Sequence, residues 1–397
     1  MTFYRRVSPT EVTYAGADTD SFSPFVNQFL IEGKGTLDEG RWRDAAAKVA
    51  EANPGSRLIM RGFWGFKFWD DQGPPPKVET LQTDWDGYSS EGVPVSGRPI
   101  DPRKGPTAEV ILIEAHKPLV MFRTHHGITD GKGMVHWMQE MFRALRNEPL
   151  LGSAGKYNEW DIAKTVDYPP RDIVEGKCIP VTPPSANPTL QGCRWQRLTF
   201  PGKPNKVLPR FIVAICNVAR DNNSENGKII FRIPSDLRRY AGKDKGFSMA
   251  NVTGSIDLEI TPEMNVNDVQ KAIVRAMRNK ADLSVFPRNM YLARWVPMSL
   301  FRFRPDVYQR RHENVNYRMT GIISYLGEVD LADYSDGDFE ATGFYGIPIP
   351  LEDRAITIGF TFNEANGLDA VLSVPNALAD KEQLAALCEQ IRQELAE

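Results

Sequence analysis

Cysteine is scarce in this chain and not grouped. Four residues in 397, Cys178, Cys193, Cys216 and Cys388, stand far apart without CxxC spacing, which excludes a disulfide framework and a zinc knuckle and leaves reduced, structural thiols. Charge of one sign is lacking too. With 48 Lys and Arg against 51 Asp and Glu the formal net charge is −3, so nothing favours phosphate backbones and nucleic acid is not an expected partner. No apolar run approaches the roughly 20 residues that cross a bilayer, and Met1 to Arg6 lack the apolar core of a signal peptide. The expectation is a cytoplasmic protein with no membrane association. No low-complexity tract is present either.

What is there is a globular composition, 41% hydrophobic and 25% charged, long enough for two cores. Periodicity predicts strands over 3–14 and 26–32, then a helix from the Leu37-Asp38-Glu39 turn to Ala50 with Trp42, Ala45, Ala46 and Val49 on one face. Strands are expected at 57–61 and 63–69, a long Pro- and Gly-rich loop from Asp70 to about Pro106, and strands at 108–114 and 119–123. A helix follows to about Arg146. Between Gly152 and Pro204 prolines recur with little periodicity, as in a crossing segment. The second half repeats the grammar, with helices at 207–220, 266–280 and 381–395 and strands at 229–233, 252–260, 321–326, 354–363 and 370–374. The reading is an α/β (α+β) protein of two similar lobes: residues 1–165, a Pro-rich crossing linker 166–205, and residues 206–397.

The chemistry concentrates in His125-His126-Gly127-Ile128-Thr129-Asp130-Gly131, which joins a buried strand to a helix start. Side chains there project into a cleft from backbone held by packing on both sides. A neutral imidazole, with an ordinary pKa of about 6.5, suits proton removal near neutral pH. Asp130 by itself reads as a helix N-cap. A metal site is not expected, because adjacent strand residues face opposite ways and both rings rarely reach one ion.

His125-His126-x-x-x-Asp130-Gly131 resembles the signature of the chloramphenicol acetyltransferase-like superfamily, which includes the nonribosomal peptide condensation domains and CoA-dependent acyltransferases. Weaker echoes follow in order: Ile233-Pro234-Ser235-Asp236-Leu237-Arg238-Arg239 is similar to the family's strand and Leu-Arg segment, Ala250-Asn251 to its Gly-Asn element, and Ile323-Ser324-Tyr325-Leu326-Gly327 to its Ser-Asn-Leu-Gly segment. The Asp-Phe-Gly-Trp-Gly motif of plant acyltransferases is absent. The resemblance implies two lobes in a V with the active site between them.

It further implies that His126 is the catalytic base while His125 supports the turn, and that Asp130 holds an arginine. The best candidate for that arginine is Arg57, with Arg61 as the other choice. Gly131 is implied at a point where a Cβ would collide with the acyl donor or the helix start. Oxyanion or substrate contacts are open among helix-start amides after Gly131, the amide of Asn251 and the hydroxyl of Ser324.

The implied activity is that of a stand-alone condensation-type acyltransferase of secondary-metabolite or nonribosomal peptide biosynthesis. It would move an acyl or aminoacyl group from a phosphopantetheine thioester, on a carrier protein in trans or in CoA, to an amine. Ester formation on an alcohol, a non-catalytic carrier-protein docking module and an epimerase are the alternatives. No bound cofactor and no metal are implied. Arg294, Arg302, Arg304, Arg310 and Arg311 read as a solvated face before a phosphate-docking surface. His116, His136 and His312 read as structural or exposed.

Overall fold

In the computed structural model, residues 3–17, 24–95, 97–170, 177–183, 187, 189–202, 205–223, 227–286, 292, 295, 296 and 317–396 are described. The chain opens with β1 (Tyr4–Arg6), α1 (Pro9–Ala17), β2 (Val26–Gly35) and α2 (Glu39–Ala52). Helix α1 stands where periodicity predicted uninterrupted strand to Tyr14. Its cause is local: the Ser8 hydroxyl accepts from the Glu11 amide at 3.1 Å while the Glu11 carboxylate accepts from the Ser8 amide at 2.9 Å. That reciprocal cap, with proline at the first helical position, starts a helix whatever the preceding alternation.

Next come β3 (Ile59–Arg61) and β4 (Phe68–Asp70), which form a small sheet in the order β1-β4-β3. The expected 70–106 loop contains a strand, β5 (Lys77–Gln82), that pairs in parallel with β6 (Ala108–Glu114). Then follow β7 (Leu119–His125), α3 (Gly131–Leu145) and α4 (Glu159–Ala163). Strands β6 and β7 are buried almost throughout, so their apolar runs do not alternate.

Strand β8 (Cys193–Phe200) lies inside the stretch expected as linker. Its alternation is hidden because Arg197 is buried, donating to Glu32 on β2 at 2.5 Å and to Asp369 at 2.9 Å. The remainder is α5 (Val207–Asp221), β9 (Ile230–Asp236), β10 (Thr253–Glu259), α6 (Val266–Arg278), β11 (Gly321–Glu328), β12 (Phe339–Ile347), β13 (Ile356–Asn363), β14 (Gly367–Pro375) and α7 (Lys381–Ala396).

Two large sheets result, ordered β12-β2-β7-β6-β5 and β10-β9-β11-β13-β14-β8. Strand β12 comes from the second half of the sequence yet completes the first sheet, antiparallel to β2. Helices α2 and α3 cover the first sheet around Trp42, Phe122, Trp137 and Phe142. Helices α5 and α7 cover the second around Phe211, Ile215, Phe231, Phe360 and Ile391. Full burial of side chains of this size stabilises by about 1.5–3 kcal/mol each, so each sheet has a core of its own.

Candidate functional site

Strand β7 is the middle strand of its sheet, and the His125–Gly131 loop leaves its end under restraint from both neighbours. The His125 amide donates to the Thr107 carbonyl and the His126 amide to the Phe25 carbonyl, both at 2.9 Å. Behind the loop, Ile128 is buried with Val12, Met60 and Trp69. Asp130 then caps α3, accepting from the Gly133 amide at 2.9 Å. Gly133 admits no side chain, because a Cβ there would lie 2.6 Å from the Met249 carbonyl oxygen.

The two imidazoles hold opposite tautomers. His125 Nδ1 accepts from the Gly127 amide at 2.9 Å, so the neutral ring carries its proton on Nε2. His126 Nδ1 lies 3.1 Å from the Thr129 carbonyl oxygen, which can only accept; Nδ1 therefore carries the proton and Nε2 the lone pair. Burial pushes His125 down to about 3, and it stays neutral. Burial also lowers His126 from the ordinary imidazole range, against the Thr129 hydrogen bond and the Asp130 charge, which raise it. Among the described residues no group of three or more His, Cys, Asp or Glu is placed to hold a metal.

Asp130 joins the loop to the second half of the chain. Its partner is Arg238, which donates from Nη1 and Nη2 to the two carboxylate oxygens at 3.1 and 3.0 Å. The Val252 amide and the Thr253 hydroxyl also donate to Asp130, at 2.7 and 2.9 Å. Burial opposes the charge, but the Arg238 guanidinium and these donors hold the carboxyl below its usual range. The expectation of Arg57 is corrected here. Arg57 sits in the turn after α2 and faces Asp71 at 3.5 Å, and Arg61 is exposed on β3. The Asp130 carboxylate is turned instead toward the 236–253 segment, so only an arginine there can reach it. The Leu237-Arg238 echo was the sequence signal.

Asn251 does bind the loop, though not as a free donor. Its side-chain amide donates to the His126 carbonyl and, at 3.3 Å, to the Thr129 carbonyl. Gly131 faces β11, where a Cβ would lie 2.9 Å from Leu326 Cδ2, a yielding side-chain tip. Ile323 and Tyr325 pack into the second core, while Leu326 packs against the first. Ser324, between Ile323 and Tyr325, lies on the opposite face of β11 from them and is partly exposed.

Tyr14 was not singled out from the sequence. It projects from α1 and stacks on His126, ring centroids 4.6 Å apart and planes 9° apart. Beneath α1 lies a buried polar group. Arg5 pairs with Glu11 at 2.6 Å and donates to the Ile128 carbonyl at 3.2 Å; Trp69 Nε1 donates to Glu11 at 3.0 Å; Ser8 donates to Glu159. Burial, and next the Glu11 charge, push Glu159 up to about 8. His136 is half-buried against Asn53, whereas His312 and the arginines at 294, 302, 304, 310 and 311 lie outside the described residues. The four cysteines are free, three of them buried. No helix of the described residues is long and apolar enough to cross a membrane.

No family model matches the sequence, and no curated protein does. Solved structures do match. A variant of the starter condensation domain of rhizomide synthetase, in complex with C8-CoA and Leu-SNAC, is similar over 99% of this chain and 94% of that one, with a TM-score of 0.64 and 13% identity. The condensation domain of monacolin K polyketide synthase is similar over 100% and 97%, with a TM-score of 0.64 and 12% identity. The first condensation domain of the CDA synthetase is similar over 100% and 95%, with a TM-score of 0.61 and 13% identity. This chain has the condensation-domain fold.

Proposed function

We propose that the chain is a condensation-type acyltransferase moving an acyl or aminoacyl group from a phosphopantetheine thioester to an amine. The observation that carries the reading is the His126 tautomer: with Nδ1–H held by Thr129, the Nε2 lone pair is the acceptor on a loop tied to both halves. The amine nitrogen attacks the thioester carbon, and Nε2 takes the proton that the nitrogen sheds. The tetrahedral intermediate collapses, the C–S bond breaks, and the thiolate leaves as a thiol with the proton from Nε2. An amine that arrives neutral needs little base, and His126 then mainly positions it. The Asn251 side-chain amide is committed to the loop, so the Ser324 hydroxyl and the helix-start amides after Gly131 are the oxyanion contacts to test.

The C8-CoA and Leu-SNAC bound to the rhizomide neighbour support a CoA-type donor and an aminoacyl acceptor. A carrier protein in trans is the other source of the same thioester, an alcohol the other acceptor. The test is intact-mass analysis of acyl-CoA and acyl-carrier thioesters with amine and alcohol acceptors, wild type beside His126→Ala. Coupled product from wild type alone is the expected result, and the acid limb of its kcat/KM should lie below the ordinary imidazole value of 6.5, as burial of His126 requires. Equal product from His126→Ala would refute the base. Carrier binding without turnover would favour a docking module.

A further inference from the structure

We propose that Tyr14 is a positioning residue of the reacting centre: its ring lies over the His126 imidazole and fixes the plane in which Nε2 meets the attacking group. The inference rests on the acyltransferase reading for its kinetic consequence but not for its geometry. One hydrogen bond, Nδ1 to Thr129, pins the imidazole at a point and leaves its plane free to tilt. A second restraint is needed, and the stacked ring supplies it at 4.6 Å and 9°. Phe25 lies 5.8 Å from His126 and 5.0 Å from Tyr14, all three rings within 25° of parallel. Tyr14 thus roofs the histidine and the phenylalanine together.

The roof is itself fixed to the loop. Helix α1 starts at the Ser8–Glu11 cap, and Glu11 is held by Arg5 and Trp69. Arg5 continues to the Ile128 carbonyl, two residues beyond His126. The ring and the histidine are therefore mounted on one frame. Among the described residues the Tyr14 hydroxyl has no hydrogen-bond partner, and the contact with His126 is made by the ring. Glu159, Arg232, Asp130 and Glu11 are the charges that act on it, and burial keeps the phenol protonated, pushed up to about 12.

The ring has two opposed effects on the imidazole. Its face attracts an imidazolium, and its bulk keeps water from one. Burial lowers His126 and the Tyr14 ring covers one of its faces, so opening that face to water is expected to raise it.

The experiment is an NMR pH titration of the His126 imidazole, assigned by its loss in His126→Ala, in wild type, Tyr14→Phe and Tyr14→Ala, with kcat and KM for each. Tyr14→Phe should titrate as wild type and turn over within about twofold. Tyr14→Ala should raise the His126 pKa toward the ordinary range and lower kcat about ten- to hundredfold with little change in KM. An unmoved titration in Tyr14→Ala, or a loss in Tyr14→Phe equal to that in Tyr14→Ala, overturns the proposal. Should Tyr14→Ala fail to fold, Tyr14→Leu keeps the bulk without the flat face, and wild-type kcat in it overturns the proposal equally. The titration needs no turnover, so failure of the clamp is distinguishable from failure of the acyltransferase reading.

Discussion

Replacing Arg238 by methionine removes the cation that holds Asp130 while keeping much of the side-chain bulk. Arg238 donates to both Asp130 oxygens, to Asp236 at 2.9 Å, and to the Ser248 and Ala250 carbonyls, each at 2.9 Å. Asp130 is 3% exposed, so its charge cannot turn to water for compensation. Breaking one side of a buried pair costs about 3–5 kcal/mol. The Gly133, Val252 and Thr253 donors remain in the variant, which places the loss near the lower end, about 3 kcal/mol. Arg57→Met is the contrast: its pair with Asp71 is long and its side chain 29% exposed, so the expected loss is about 0–1 kcal/mol. Denaturant unfolding of Arg238→Met, Asp130→Asn and the double variant measures the coupling. Single losses that add to within about 0.5 kcal/mol in the double variant, or an Arg57→Met loss as large as that of Arg238→Met, would refute the assignment. The sign with pH follows from the lowered Asp130 pKa: the pair contributes in full above the ordinary carboxyl value of 3.8 and is lost as pH falls through the folded one.

Asn251→Asp should impair turnover more than Asn251→Ala, because a carboxylate would face the His126 and Thr129 carbonyls that the amide now serves. Wild-type kcat in Asn251→Asp would show that this contact does not set the loop. Glu159 has its pKa raised from 4.5 to about 8, so between those values the folded state keeps a proton the unfolded state has released. Stability should fall as pH rises through that window, and Glu159→Gln should flatten the fall; parallel melting curves of the two proteins from pH 5 to 9 would count against it.

The place of the His125–Gly131 loop was legible because its residues answer to local rules. A buried strand, paired histidines and an Asp-Gly helix start each leave a mark within seven positions, and the structure places them at the end of β7 and the first turn of α3. The partners of the loop were harder to read because they lie over a hundred positions away. Arg238 and Asn251 both fell in segments that echoed a family, yet nothing in their spacing said which atom of the loop each would meet. Tyr14 was hidden for another reason. Its neighbourhood alternates like a strand, and the Ser8-Pro9-Thr10-Glu11 cap that makes it helical outweighs that alternation. Strand β12 was missed because its placement depends on β2, about three hundred positions earlier.

The same separation explains why this loop is tied so heavily. A residue in the role proposed for His126, presenting one nitrogen to an incoming group, needs its frame referred to both halves of the chain. From the first half come Thr107 and Phe25 to the backbone amides, Arg5 to Ile128, and Tyr14 to the ring. From the second come Asn251 to the His126 carbonyl and Arg238 to Asp130. Elsewhere Arg197 on β8 ties Glu32 on β2 to Asp369 on β14, with its guanidinium 4.0 Å from the Tyr345 ring on β12. One tie fixes the two sheets to each other and the other fixes the His125–Gly131 loop to both. Buried charge is costly in each place unless every partner is met, so an error in the approach of the halves is penalised at both ties at once. The geometry of His126 is therefore a property of the whole chain, although the chemistry proposed for it is confined to a single ring.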